Sequence, residues 1–130
     1  MNPRILIIDD EPQDRKGMTI ALNKAGYQDI VYAETGKAGV QQAKELNPDI
    51  VVIDVVLPDG DGFGACEQLK SSEQNACKIL MITGHLDAVN AQRARTSGAD
   101  EIIEKKAGFP DIAGVIHEIL TKGSRYRLNQ

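Results

Sequence analysis

Short runs rich in Ile and Val recur along the chain: Ile5–Ile8, Ile30–Ala33, Ile50–Ile53, Ile79–Ile82 and Glu101–Glu104. Turn-forming residues bound them, the pattern of strands buried on both faces of a parallel sheet. Between these runs the apolar positions change to a helical period. The first such segment carries Met18, Leu22 and Ala25, and Gly26 supplies the left-handed position that closes a helix. The second runs from about Thr35 to Leu46 and stops before Asn47–Pro48, and the third follows the turn "PDGDG" with Ala65, Cys66 and Leu69. The fourth covers about Leu86 to Ser97 and ends at Gly98. The fifth is expected to begin at Phe109–Pro110–Asp111, with Pro110 suited to a first helical turn. Its Ile112, Val115, Ile116, Ile119 and Leu120 form a core-facing stripe. No internal repeat or low-complexity run interrupts the alternation, so residues 1–122 read as one domain and 123–130 as a polar tail.

Five strands alternating with five helices specify an α/β fold, a doubly wound parallel sheet covered on both sides. Such sheets bind ligands beyond the carboxyl ends of their strands, near the switch in strand order. Asp9, Asp10 and Glu11 follow the first strand and Asp54 ends the third. Thr83–Gly84 follows the fourth and Lys105–Lys106 the fifth. Carboxylates, a hydroxyl and an ammonium therefore share one sheet edge. Two carboxylates at about 4 Å repel by roughly 4 kcal/mol at an effective dielectric of about 20. A hard cation such as Mg²⁺ turns that repulsion into attraction and still accepts a phosphate oxygen. A carboxylate beside it can serve as a nucleophile and form an aspartyl phosphate. The lysine and the hydroxyl then suit the phosphoryl oxygens.

Taken singly, each residue has a plainer role. Asp9–Asp10 alone fits a solvated capping turn, and Asp54 alone a polar strand end. Asp59 and Asp61 belong to turn chemistry, with Gly60 and Gly62 allowing positive φ, and Pro58 shapes the loop. His85 and His117 lack a matching His or Cys nearby and read as surface residues or as neighbours of a site rather than as ligands. Glu11 fits either a modulator of an acidic pocket or the start of a helix.

Length and composition narrow the field. At 130 residues the chain suits a single domain with a real core, and 42% hydrophobic with 26% charged residues is an ordinary globular balance. The net charge is −4 with no basic stretch, so direct nucleic-acid binding is not expected. No apolar run approaches the roughly 20 residues of a membrane helix. Met1 leads straight into a strand, so no secretory signal is expected and the setting reads as cytoplasmic. Cys66 and Cys77 have no metal-ligand spacing and read as reduced thiols, although sequence leaves a disulfide between them open.

In order, Asp9–Asp10, "DVVLPDGDG" from Asp54, Thr83–Gly84 and "GADEIIEK" ending at Lys105 resemble the receiver domain of bacterial two-component response regulators. The resemblance covers about residues 4 to 121. It implies a flavodoxin-like sheet of order 2-1-3-4-5. It implies that Asp54 accepts a phosphoryl group from a phosphohistidine on a sensor histidine kinase or histidine phosphotransfer protein. Asp10 would bind Mg²⁺ directly, Asp9 through water, and the backbone carbonyl of Val56 would add a ligand. Thr83 would hydrogen-bond the phosphoryl group and Lys105 would pair with it. The resulting change of conformation would control a downstream effector protein or domain. Such a domain catalyses only its own phosphorylation and dephosphorylation. Val56 and His85 would line the water path and tune the lifetime of the phosphoryl group.

Two positions depart from the family pattern. Receivers commonly follow the lysine with a cis proline; Lys106 stands here instead. A cis bond without proline costs about 2.5–4 kcal/mol, so a trans or strained bond is expected, and Lys106 becomes a possible stand-in for Lys105. Ile102 occupies the position where the family usually carries a Tyr or Phe that swings inward, which puts the aromatic switch in doubt. Those departures leave room for a receiver-like binding module without productive phosphotransfer. A haloacid dehalogenase-like phosphatase would need a second aspartate where Val56 stands. A flavodoxin-type carrier would need a phosphate loop of Ser, Thr and Gly where "DDEPQD" stands.

Overall fold

A computed structural model describes residues 2–71 and 77–122; the expected polar tail, 123–130, lies outside the described residues. In chain order the elements are β1 (Ile5–Ile8), α1 (Pro12–Lys24), β2 (Ile30–Ala33), α2 (Gly36–Leu46) and β3 (Ile50–Asp54). There follow β4 (Val56–Leu57), β5 (Gly60–Asp61), α3 (Gly62–Ser71), β6 (Lys78–Thr83), α4 (Ala88–Ser97), β7 (Glu101–Glu104) and α5 (Ile112–Lys122). The main sheet is parallel throughout, in the order β2-β1-β3-β6-β7. Counting only its own strands, that is 2-1-3-4-5, the flavodoxin-like arrangement.

Alternation along each strand sends side chains to opposite faces. Leu6, Ile8, Val51, Ile53, Ile79 and Met81 face α2, α3 and α4, with Val40, Leu69 and Ala94 packed on them. Ile5, Ile7, Ile50, Val52, Leu80 and Ile82 face α1 and α5, against Met18, Leu22, Ile112, Ile116 and Ile119. The chain leaves β1 toward β2 on one side and later returns to β3 on the other. Beyond the carboxyl ends of β1 and β3 lies the crevice that this reversal creates.

Helix boundaries differ from the sequence pattern where capping decides them. Asp87 accepts a hydrogen bond from Asn90 N at 2.7 Å, so α4 starts at Ala88 rather than Leu86. Phe109 takes φ 47°, which breaks the run, and α5 starts at Ile112 instead of Pro110, with Val115 N bonded to the Asp111 carbonyl. The "PDGDG" turn sits in the unexpected β4–β5 hairpin. Gly60 has the expected positive φ, 146°, but Gly62 does not; it opens α3.

Candidate functional site

Each strand end fixes one side chain by its backbone. Asp9 follows β1 fully buried, its N–H bonded to the Ala33 carbonyl at 3.0 Å. Its Oδ1 accepts from Glu11 N at 2.9 Å, and Arg15 donates to its carbonyl at 2.8 Å while pairing with Glu34 at 3.6 Å. Asp54 ends β3, with Oδ1 accepting from Val56 N at 3.1 Å. Lys105 leaves β7 with its N–H on the Thr83 carbonyl at 2.7 Å, so the β6 and β7 ends are tied together. From there the Lys105 side chain reaches across the crevice. Its Nζ lies 2.6 Å from Asp14 Oδ2, 2.7 Å from Asp54 Oδ2 and 3.3 Å from Asp9 Oδ2.

Oxygens of Asp9, Asp14 and Asp54 all lie within 4.8 Å of one another. Burial, with the charge of Asp54 adding to it, pushes the Asp9 carboxyl up to about 6, against the opposite pull of the Glu11 N–H and Lys105. Burial alone would lower Lys105; its hydrogen bonds to Asp14 and Asp54 and the charges of Asp54 and Asp9 outweigh that and hold the ammonium well above its usual value. One ammonium thus faces three carboxylates. Asp9 Oδ2, although at ion-pair distance from Lys105, has no hydrogen-bond partner. An orphaned buried carboxylate oxygen beside two further hard oxygen donors fits a divalent cation such as Mg²⁺.

Other sequence-derived candidates fall in various places. Asp10 is exposed and outside this grouping. Glu11 caps α1, accepting from Gln13 N at 3.4 Å, which is the second of its two expected roles. Thr83 is buried, but its hydroxyl is engaged with the His85 backbone, donating to O at 3.2 Å and accepting from N at 3.3 Å. Val56 is 72% exposed, and the exposed His85 ring faces Asp87 at 3.7 Å. Lys106 points away to Asp111 at 3.2 Å, and the described peptide bonds are all trans. Ile102 is buried in the cluster beside α4. His117 is exposed, and Cys66 and Cys77 are free, buried thiols.

Asp59 and Asp61 exceed the turn role expected of them. Asp59 accepts from Gly36 N and Lys37 N, both at 2.9 Å, and so caps α2 from across the chain. Asp61 accepts from Gly64 N at 2.9 Å and from Arg93 at 3.2 Å, and Arg93 lies 4.3 Å over the Phe63 ring. Asp14 and Arg15 escaped the sequence pattern. An acid in the first turn of a helix reads as a partner of the helix dipole, and that ordinary role masked Asp14.

The family model for the response regulator receiver domain matches residues 5–117. The DNA-binding dual master transcriptional regulator RpaA of Synechocystis sp. is 34% identical over 124 residues, which is 95% of this chain and 51% of RpaA. The chain thus spans about half the length of that curated relative. Protein PilH of Pseudomonas aeruginosa is 32% identical over 118 residues, covering 90% of this chain and 97% of PilH. Among solved structures, a LuxR-family two-component response regulator from Aurantimonas sp. superimposes with a TM-score of 0.87 at 27% identity, over 95% of this chain and 89% of its own.

Proposed function

The chain belongs to the response regulator receiver family of two-component signal transduction, and on that premise we propose that Asp54 is its phosphoacceptor. The donor is a phosphohistidine on a sensor histidine kinase or histidine phosphotransfer protein. In the transfer the P–N bond breaks and a P–O bond forms to the Asp54 carboxylate; the imidazole keeps the electron pair and takes up a proton. In a separate hydrolytic step a water attacks phosphorus, the bond from phosphorus to the Asp54 oxygen breaks, a proton from the water goes to solvent, inorganic phosphate leaves and the carboxylate returns. The domain promotes both steps on itself and acts on no outside substrate.

The single observation that carries this reading is the 2.7 Å contact between Asp54 and Lys105, two side chains delivered by different strand ends. Lys105 offers a fixed positive charge for the phosphoryl oxygens. The Thr83 hydroxyl would exchange its His85 backbone partners for a phosphoryl oxygen. Asp9, Asp10, Asp54 and the Val56 carbonyl are the proposed Mg²⁺ ligands, and the ion would supply positive charge to the transferring group. Val56, His85, Glu11 and Lys106 are at most modulators, and Lys106 is turned away from the site by Asp111. With Ile102 buried where a gating ring is usual, switching would pass through Thr83 and its loop. The proposed output is a downstream effector protein or domain, with no nucleic acid bound by this domain itself, in the cytoplasm. Among the described residues no helix is long and apolar enough to cross a membrane.

Intact-mass measurement after incubation with a small-molecule phosphodonor tests the reading, with and without Mg²⁺, on wild type and Asp54→Ala. One added phosphoryl group that requires both Mg²⁺ and Asp54 is expected. No modification of a folded protein would overturn it.

A further inference from the structure

The shortest contact of the Lys105 ammonium is with Asp14, at 2.6 Å, from the first turn of α1. An ammonium has three N–H donors. Asp14 and Asp54 take two of them as hydrogen bonds, and Asp9 stands at ion-pair distance, 3.3 Å. The group that must meet a phosphoryl oxygen is thus already engaged on three sides. Of these carboxylates, Asp14 has no part in accepting the phosphoryl group. Its oxygen lies in the same grouping as those of Asp9 and Asp54, but the proposed ligand set of Asp9, Asp10, Asp54 and the Val56 carbonyl leaves it out. It lies on a helix rather than at a strand end, and its side chain is 30% exposed, so nothing in the core requires an acid there.

We propose that Asp14 competes with the phosphoryl group for Lys105, holding the ammonium in the unphosphorylated protein and opposing the phosphorylated state. The inference rests on the reading of Asp54 as phosphoacceptor and adds a regulator to that site. A phosphoryl group brings close to two negative charges onto Asp54. Oxygens of Asp14 and Asp54 already lie within 4.8 Å of each other, so the new charge meets a like charge as well as a rival for its counter-ion. Removing the charge at Asp14 therefore favours the phosphorylated state. A residue that merely held Lys105 in a productive position would act in the opposite sense, and the sign of the effect separates the two roles.

The test is calorimetric titration with beryllofluoride, a phosphoryl mimic, in the presence of Mg²⁺. It uses wild type, the isosteric Asp14→Asn and the truncating Asp14→Ala, each also in an Asp54→Ala background that should abolish binding. Both Asp14 variants are expected to bind about tenfold tighter than wild type, the scale of removing one nearby like charge. A metal-free readout accompanies it: acylation of the Lys105 amine by acetic anhydride, followed by peptide mass spectrometry, should run severalfold faster in Asp14→Asn. Equal or weaker beryllofluoride binding in both variants, with wild type binding normally, overturns the competition and leaves the phosphoacceptor reading standing. Failure of wild type and both variants to bind overturns both.

Discussion

Asp59 reaches α2 across 23 residues of chain to bond two of the N–H groups that a helix start leaves open. The hydrogen bonds from Lys37 N and Gly36 N favour its charged form and hold the carboxyl below its ordinary value of 3.8. A carboxyl depressed in the folded state adds stability that is complete above the unfolded value and fades as pH falls through the folded one. Asparagine has the shape of the protonated acid. Asp59→Asn is therefore expected to be less stable than wild type near neutral pH, with the two urea-unfolding curves converging below pH 3.8. A gap that stays constant into the acid range would show that the charge is not what the cap uses. Nothing local in "LPDGDG" announces this role, because a turn aspartate and a long-range cap look alike in sequence.

Gly62 shows what the loop after β3 demands of an element. It opens α3 so close to the end of β3 that a Cβ would collide with the Asp54 carbonyl oxygen and come within 2.9 Å of Ile53 Cγ2. Backbone cannot yield as a flexible side chain does, so Gly62→Ala must push α3 away from the strand that carries Asp54. A loss of about 1–3 kcal/mol is expected, as for overpacking in a well-filled core. It should appear as a lower urea midpoint with an unchanged m-value; an unchanged midpoint would mean that α3 shifts freely. The strands were legible because a sheet buried on both faces must be written in continuous Ile and Val; their order came only from the resemblance to receiver domains, and the sheet has it. Helix starts were less so, since α4 and α5 depend on the Asp87 cap and on the left-handed Phe109. At the site, Asp9, Asp54 and Lys105 could be read because each closes a strand. Asp10 was expected beside Asp9, but the chain turns out of β1 and leaves it facing solvent.

Across the whole molecule, folding brings together charges that the unfolded chain keeps apart. Asp9, Asp14 and Asp54 come from separate elements, and the folded protein balances them with one ammonium while leaving Asp9 Oδ2 without a hydrogen bond. Two well-filled apolar faces hold the sheet in the arrangement that forces this convergence. A divalent cation that binds only the folded state relieves it, and by mass action adds about 2.7 kcal/mol at a hundredfold excess over its dissociation constant. Millimolar Mg²⁺ should thus raise the melting temperature by several degrees, whereas NaCl at matched ionic strength should do much less. Asp9→Asn removes the orphaned charge and a donor together. The variant is expected to melt no lower than wild type without metal, and to lose most of the Mg²⁺ increment. If it kept the full increment, the cation would be bound elsewhere. An equal rise in NaCl would mean that screening alone relieves the repulsion and that the folded site holds no cation of its own.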